Sequence, residues 1–225
     1  MNNKLLRYSD IVLVPKLSEG TSRSEVNIEC TLGNKNFGLP VIPANMKTVI
    51  DINLARSLSD GHFFYVMHRF GISNYDFVKT ANKENWRTIS ISVGVKSTDL
   101  DVLRKIHNDN LRIDYITIDI AHGHSVLMKN TISEIKSIFG NDVFVIAGNV
   151  ATPNAVHDIT TWGADAIKVG IGQGSPCTTK DKTGFFREEF VEDKRLKGIK
   201  QNYDPFKGKP LEINKNKEDV LTTLN

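Results

Sequence analysis

The stretch YITIDIAHGHSVLMKNTISEIKSIFGNDVFVIAGNV, residues 115–150, decides the fold class because it joins two β-like segments through a helix-like one. Residues 115–118 and 143–146 are short, apolar and rich in β-branched side chains, which predicts buried strands. Between them, residues 127–140 carry apolar side chains at three- and four-residue steps and end in glycine, which predicts a helix. Strands joined by a helix-length crossover pair in parallel. The stretch therefore predicts a βαβ unit.

The same alternation continues along the chain in both directions. Apolar runs predict strands at 39–42, 63–67, 89–93, 115–118, 143–146 and 166–169, with helix-like stretches at 51–61, 74–86, 98–110, 127–140 and 152–163. A βα period of about 24 to 28 residues fits both a doubly wound sheet and a (β/α)8 barrel. Small or polar residues follow every strand, as they do where all strand ends face one site. This favours a parallel (β/α)8 TIM barrel, of which six of the eight units are recognisable.

Composition excludes several classes of function. The chain has 225 residues, 29 Lys and Arg against 26 Asp and Glu, and 40% hydrophobic residues, which is typical of a globular protein without a basic nucleic-acid-binding surface. No apolar stretch reaches the length of a membrane span or a secretory signal. We therefore expect neither a nucleic-acid nor a membrane partner. The two cysteines fit a reducing, cytoplasmic compartment, in which a loop thiol points to catalysis rather than to a disulfide.

Cys177 is the candidate nucleophile. It stands in GIGQGSPCTTKDKTGF, residues 170–185, a run of small and turn-forming residues directly after the last predicted strand. Glycines let backbone N–H groups approach a substrate, and a thiolate needs room to attack. Cys30 lies instead in an alternating stretch typical of an edge strand, so we expect it to be packed.

Other strand-end residues are ambiguous when each is taken alone. His68 is as consistent with a satisfied rim residue as with a catalyst, and Asp119 is as consistent with a helix cap as with a catalytic carboxylate. His122 and His124 do not indicate a metal site, because no third ligand stands at a matching spacing and a glycine separates them.

Nine ordered motifs resemble the inosine-monophosphate dehydrogenase and guanosine-monophosphate reductase family: YSDIVLVP, SRSEV, LPVIPANMKTV, YVMHRF, SISVGVK, YITIDIAHGHS, VIAGNV, GADAIKVGIGQGSPCTT and KTGF. They extend from Tyr8 to Gly184, about four fifths of the chain. The dehydrogenases of this family carry a regulatory insert after the second strand, whereas residues 70–88 are too few for one. The chain is therefore more similar to the reductase branch, and particularly to its bacterial type.

The resemblance implies an NADPH-dependent reductive deamination of GMP to IMP and ammonia, a step of purine salvage. In such reductases a cysteine attacks C2 of the guanine, ammonia leaves, and NADPH reduces the resulting thioimidate. Cys177 matches that nucleophile, and Thr179 matches the catalytic threonine of the family. Two alternatives stay open: the dehydrogenase reaction of IMP with NAD and water, and an inactive remnant that only binds a partner.

The same resemblance assigns the remaining site residues. The cofactor-binding positions, matched motif by motif, are Ser22, Arg23, Arg69, Asp119, Ile120, Ala121, Ile171 and Gly172. In members that use K⁺, the carbonyls of Gly172, Gly174 and Cys177 would surround this monovalent cation. Members tend to form homotetramers, so the resemblance implies a homo-oligomer.

The sequence departs from the family beyond Gly184. The family's seventh and eighth strands, its phosphate loops and its catalytic glutamate have no counterpart in the charged segment 185–225. We expect an incomplete catalytic barrel at 1–184 and a divergent or truncated tail at 185–225, whose last part resembles the segment after the family's active-site flap. Such a tail has too few apolar residues to replace two buried strands, which predicts an open edge at the sixth strand.

Overall fold

The computed structural model describes residues 14, 17 and 20–171, together with the backbone of residues 220–222. After a 3-10 turn at Arg23–Glu25, the elements in chain order are β1 (Cys30–Leu32), β2 (Lys35–Phe37), α1 (Ile52–Asp60), α2 (Asn74–Lys83), β3 (Ser90–Val93), α3 (Ser97–Asn108), β4 (Tyr115–Asp119), α4 (Val126–Phe139), β5 (Phe144–Val150), α5 (Pro153–Thr161), β6 (Ala166–Val169) and β7 (Val220–Thr222).

Strands β3 to β7 form one parallel sheet in which each strand pairs with its neighbour in chain order. Helices α3, α4 and α5 make the crossovers between β3, β4, β5 and β6. This is the βα repeat of a (β/α)8 barrel, and the described residues form an incomplete barrel. The predicted third to sixth strands and all five predicted helices are confirmed, each to within a few residues.

Two predicted strands are wrong as regular strands. In the segment 63–67 only Met67 pairs with the sheet: its N–H donates to Ser90 O at 3.1 Å, and its carbonyl accepts from Ser92 N at 2.9 Å. Residues 39–42 form no strand, and Val41 is exposed. An apolar run indicates burial, whereas a strand also needs a ladder of hydrogen bonds to a neighbouring backbone, which the run itself does not specify.

The predicted open edge at β6 is also wrong for the described backbone. Residues Val220–Thr222 pair in parallel with β6, and Ile167 is aligned with Val220. The edge of a parallel sheet offers unpaired N–H and C=O groups to any extended segment, whatever side chains that segment carries. The low apolar content of the tail therefore did not prevent this pairing.

A hairpin covers the amino-terminal end of the sheet. Strands β1 and β2 pair antiparallel, and Phe37 packs with Phe64 and Tyr115 in a small inner core. The Tyr115 hydroxyl donates to Leu32 O at 2.8 Å, so the hairpin is hydrogen-bonded to the first residue of β4. Cys30 is half-buried in β1, as expected for a packed edge strand, and burial raises the pKa of its thiol.

The larger core lies between the sheet and the helices. The outward residues of β4, Ile116 and Ile118, are fully buried against this layer, as are Ile132 and Ile135 of α4. Each such side chain contributes about 1.5–3 kcal/mol relative to an exposed one. The inward residues of β4 alternate with these two isoleucines. They are Tyr115, Thr117 and, at the carboxyl end of the strand, Asp119.

Local sequence explains where the helices begin and end. Helices α1, α2, α4 and α5 begin after residues whose side-chain oxygen accepts a backbone N–H three residues on: Asp51, Ser73, Ser125 and Thr152. Helix α4 is followed by its capping residue Gly140, whose φ of 60° is in the left-handed region that glycine adopts without strain. Among the described helices, none has the length and apolarity needed to cross a membrane.

Candidate functional site

A polar cluster lies at the carboxyl end of the sheet, where barrel enzymes build their sites. Asp119 ends β4, Lys168 lies in β6, and Asn45 comes from the loop before α1. The amide Nδ2 of Asn45 donates to Asp119 Oδ2 at 2.8 Å. The ammonium of Lys168 donates to Asn45 Oδ1 at 3.0 Å and lies 3.4 Å from Asp119 Oδ1. The three side chains therefore form a closed ring of polar contacts.

Gly148 keeps the space between the two charged residues open. The strand register aligns Asp119 with Gly148, and Gly148 with Lys168, so the three form one row across β4, β5 and β6. A Cβ at Gly148 would lie 2.5 Å from Lys168 Cβ and 2.7 Å from Lys168 O, which is closer than real atoms approach. Only glycine fits at the middle of this row.

Sequence analysis missed Lys168 and Asn45 as site residues. One signal was available, because Lys168 is the single charged residue in the otherwise apolar strand AIKV, and such a lysine is buried only when it is paired. Its side chain is 9% exposed, against 23% for that of Asp119. Asp119 is thus partly exposed, and Lys168 is more deeply buried.

Arg69 and Asp119 were predicted as cofactor-binding residues from separate motifs, and the structure brings them together. Arg69 Nη2 lies 3.4 Å from the backbone carbonyl of Asp119, and the guanidinium lies over the Phe70 ring at 4.8 Å. A Cβ at Gly94 would lie 2.8 Å from Asp99 Oδ2 and 3.4 Å from the guanidinium carbon, so the glycine lets the Asp99 carboxylate and Arg69 pack against this backbone. Arg69 Nε is buried without a hydrogen-bond partner among the described residues. With respect to these residues, the guanidinium therefore has one donor that is not used.

Asn149, near the end of β5, is hydrogen-bonded to the loop after β4 and to the residue after β6. Its backbone N–H donates to Ile120 O at 2.9 Å, while Ile120 N donates to Gly148 O at 3.0 Å. Its side-chain Nδ2 donates to Gly170 O at 2.8 Å. Of the predicted cofactor residues, Ile120 therefore belongs to this network; Ala121 follows it in the same loop, and Ile171 follows Gly170 in the chain.

Two further predicted cofactor residues, Ser22 and Arg23, do not join this cluster. Ser22 and Arg23 are exposed at the 3-10 turn, where Ser22 Oγ accepts from Ser24 N. Within residues 20–171, no hydrogen bond or ion pair connects either of them to Asp119. Further predicted positions lie outside the described residues: Gly172, Gly174, Cys177 and Thr179. Their roles stay predictions.

His124 makes a hydrogen bond to a carboxylate. Its Nε2 lies 2.8 Å from Asp158 Oδ2, and its ring stands 5.8 Å from that of Trp162. Hydrogen bonds from His124 and His157 lower the pKa of Asp158 below its ordinary value. In the part of the chain that the structure describes, no three His, Cys, Asp or Glu side chains form a group that could hold a metal ion.

The buried side chain of His68 leads us to expect that the stability of the protein depends on pH. The side chain is 3% exposed, and Nδ1 accepts from Phe70 N at 3.2 Å. Burial, with the positive charge of Lys47, lowers the pKa of His68 below its ordinary 6.5. The unfolded chain therefore binds a proton at higher pH than the folded chain does. We expect the free energy of unfolding to fall as pH falls through about 6.5, measured by urea unfolding between pH 7.5 and 5.5.

The matched comparison for this expectation is His68→Gln, which retains a polar side chain that does not titrate. Its free energy of unfolding should change less over the same pH range. A fall as steep as that of the unchanged protein would assign the pH dependence to other groups.

The parallel βα sheet with polar residues at its carboxyl end defines a protein of the (β/α)8-barrel class. Residues 5–190 match the family model described as the IMP dehydrogenase / GMP reductase domain. The chain belongs to the IMP dehydrogenase and GMP reductase family.

Two bacterial GMP reductases and one solved dehydrogenase structure are similar to most of this chain. GMP reductase from Mesoplasma florum is 51% identical over 178 residues, which are 79% of this chain and 55% of that relative. GMP reductase from Mycoplasma mycoides is 47% identical over 182 residues, which are 81% and 57%. The crystal structure of inosine 5′-monophosphate dehydrogenase from Legionella pneumophila matches with a TM-score of 0.69 at 30% identity, over 81% of this chain and 55% of that chain. The chain thus spans little more than half the length of these relatives.

Proposed function

We propose that this chain carries the catalytic barrel of a GMP reductase, which converts GMP to IMP and ammonia with NADPH as reductant. The observation that carries the proposal is the contact between Arg69 and Asp119, because two cofactor positions inferred from separate motifs lie 3.4 Å apart at one end of the sheet. Relatives named GMP reductase are about half identical over the same residues, which supports this choice of reaction.

The polar groups at the strand ends suit a nicotinamide nucleotide. The Asp119 carboxylate is partly exposed and has lone pairs left for ribose hydroxyls, while the buried Nε of Arg69 has no hydrogen-bond partner within the described part of the chain. When bound, NADPH would supply the hydride. Ser22, Arg23, Ile120, Ala121, Ile171 and Gly172 complete the proposed set of cofactor contacts.

Cys177 is the proposed nucleophile. Its thiolate adds to C2 of guanine, and the C2–N bond breaks with transfer of a proton to the departing amine, which leaves as ammonia. Reduction of the thioimidate at C2 is followed by breaking of the C–S bond, which returns the thiolate and yields IMP. Thr179 lies two residues on and is proposed to assist proton transfer at the amine.

The wider assignments follow from the same proposal. In a K⁺-dependent enzyme, the carbonyls of Gly172, Gly174 and Cys177 would hold the ion beside the nucleophile. We assign residues 1–184 to the catalytic domain and 185–225 to a divergent tail, and we propose a homotetramer in the cytoplasm.

The test is NADPH oxidation by the purified chain, followed by absorbance with GMP present and then omitted. We expect GMP-dependent oxidation with one ammonia and one IMP formed for each NADPH consumed. Formation of NADH from IMP and NAD, without GMP-dependent oxidation, would identify the dehydrogenase instead; the similarity to the Legionella enzyme makes it the second candidate. A folded sample inactive in both assays would contradict the proposal and favour a remnant that only binds a partner.

A further inference from the structure

We propose that Lys168 is a positioning residue, whose ammonium group holds the Asp119 carboxylate in the orientation that binds the nicotinamide cofactor. This inference rests on the proposed function, because it takes Asp119 as a cofactor ligand. It concerns a residue that lies within a resembling motif but was assigned no role by it.

The side chains of Lys168 and Asp119 differ in exposure, and this difference indicates different roles. Lys168 is 9% exposed and Asp119 is 23% exposed, so a bound ligand reaches the carboxylate before it reaches the ammonium. On its protein side, each carboxylate oxygen already has one partner: Asn45 Nδ2 at Oδ2 and Lys168 Nζ at Oδ1. An ionised carboxylate has about four lone-pair positions, so two remain for hydroxyl donors from solvent or ligand. Lys168 therefore acts on a ligand through Asp119.

Lys168 also controls the amide that orients Asp119. Its ammonium donates to Asn45 Oδ1 at 3.0 Å, which requires the amide nitrogen of Asn45 to point to Asp119. Without that donor, the two orientations of the amide become closer in energy, and one of them faces the carboxylate with an oxygen. Loss of the lysine thus removes one direct contact to Asp119 and weakens the other.

The surroundings of Lys168 are built for this contact. A lysine buried in a strand is unfavourable unless its charge is paired, and the pairing partners here are Asp119 and Asn45 alone among the described residues. Gly148 stands between Asp119 and Lys168 in the strand register, where any side chain would collide with Lys168. Glycine at position 148 is therefore the residue type that leaves room for Lys168.

The experiment measures the dissociation constant for NADPH on the full chain by fluorescence titration. Lys168→Met retains the length of the side chain and removes the charge, and we expect it to weaken NADPH binding by about tenfold or more. Lys168→Arg restores a cation and should recover most of the affinity. Where turnover is measured, Lys168→Met should raise KM for NADPH and leave kcat unchanged.

The matched control is Lys136→Met. Lys136 forms the same kind of pair, with Asp165 at 2.6 Å, but Asp165 directly precedes β6, at the opposite end of that strand from the cluster. We expect its affinity for NADPH to stay within about twofold of that of the unchanged chain. Circular dichroism of each variant checks that the fold is retained, and Lys168→Gln, neutral but still a donor, replaces Lys168→Met if the latter does not fold.

Three outcomes separate this inference from the function on which it rests. Weakened binding in Lys168→Met, recovery in Lys168→Arg and no change in Lys136→Met would support it. Unchanged binding in a folded Lys168→Met would overturn it and leave the proposed function standing. If the unchanged, folded chain did not bind NADPH, the proposed function would fail, and this inference would fail with it.

Discussion

Replacing Cys177 with alanine is expected to abolish GMP-dependent NADPH oxidation, with a loss of kcat of about 10⁴-fold or more. The sulfur forms the covalent bond to C2 in the proposed mechanism, and alanine has no atom that replaces it. The measurement is the initial rate of NADPH oxidation at saturating GMP. GMP binding, followed by calorimetry, should persist in the variant because the rest of the nucleotide site is unchanged.

Cys30→Ala is the matched control for this substitution. Cys30 is half-buried in β1, and burial raises the pKa of its thiol, so little thiolate forms there near neutral pH. We expect turnover close to that of the unchanged chain. A comparable loss in Cys30→Ala, or retained turnover in Cys177→Ala, would show that the nucleophile has been assigned to the wrong thiol.

Tyr115→Ala is expected to lower the free energy of unfolding by about 3–5 kcal/mol, which is the cost of removing a large buried aromatic side chain. The ring is fully buried, and its edge-to-face contact with Phe64 has a centroid distance of 4.9 Å. The substitution also leaves the carbonyl of Leu32 without the hydroxyl that donates to it. Urea unfolding followed by circular dichroism measures the change.

Two phenylalanine substitutions separate the hydroxyl from the ring. Tyr115→Phe removes only the buried hydrogen bond to Leu32 and should cost about 1–3 kcal/mol. Tyr75→Phe removes an exposed hydrogen bond to Asp109 Oδ2 and should cost well under 1 kcal/mol, or about the value of a surface contact. Equal costs for the two variants would mean that the hairpin does not depend on this contact.

The sequence was sufficient for much of the fold because its signals are local. The strand β6 was predicted with the bounds that the structure has, and α4 was predicted to within one residue at each end. Both elements depend on features within a few residues: apolar periodicity, a serine cap and a terminal glycine. The segment 63–67 was predicted less well, since pairing beyond Met67 depends on a neighbouring backbone rather than on its own side chains.

The candidate site was predicted in part for the same reason. Asp119 and Arg69 were named as candidates because the resemblance assigns a cofactor role to each. Lys168 and Asn45 also lie within the resembling motifs but were given no role, since their contacts join Lys168 to residues 49 and 123 positions away and depend on the register of three strands. A single lysine in an apolar strand indicates that its charge is paired in the fold, but the sequence does not identify the residue that pairs with it.

The same separation along the chain has a consequence for folding during synthesis. Asn45 and Asp119 leave the ribosome well before Lys168, so Asp119 remains without its cation while β3, β4 and β5 are assembling. Only the addition of β6 brings the ammonium into the row. Formation of the Asn45, Asp119 and Lys168 cluster is therefore coupled to the arrival of the sixth strand, and before that point Asp119 lacks the ammonium group that contacts it in the complete sheet.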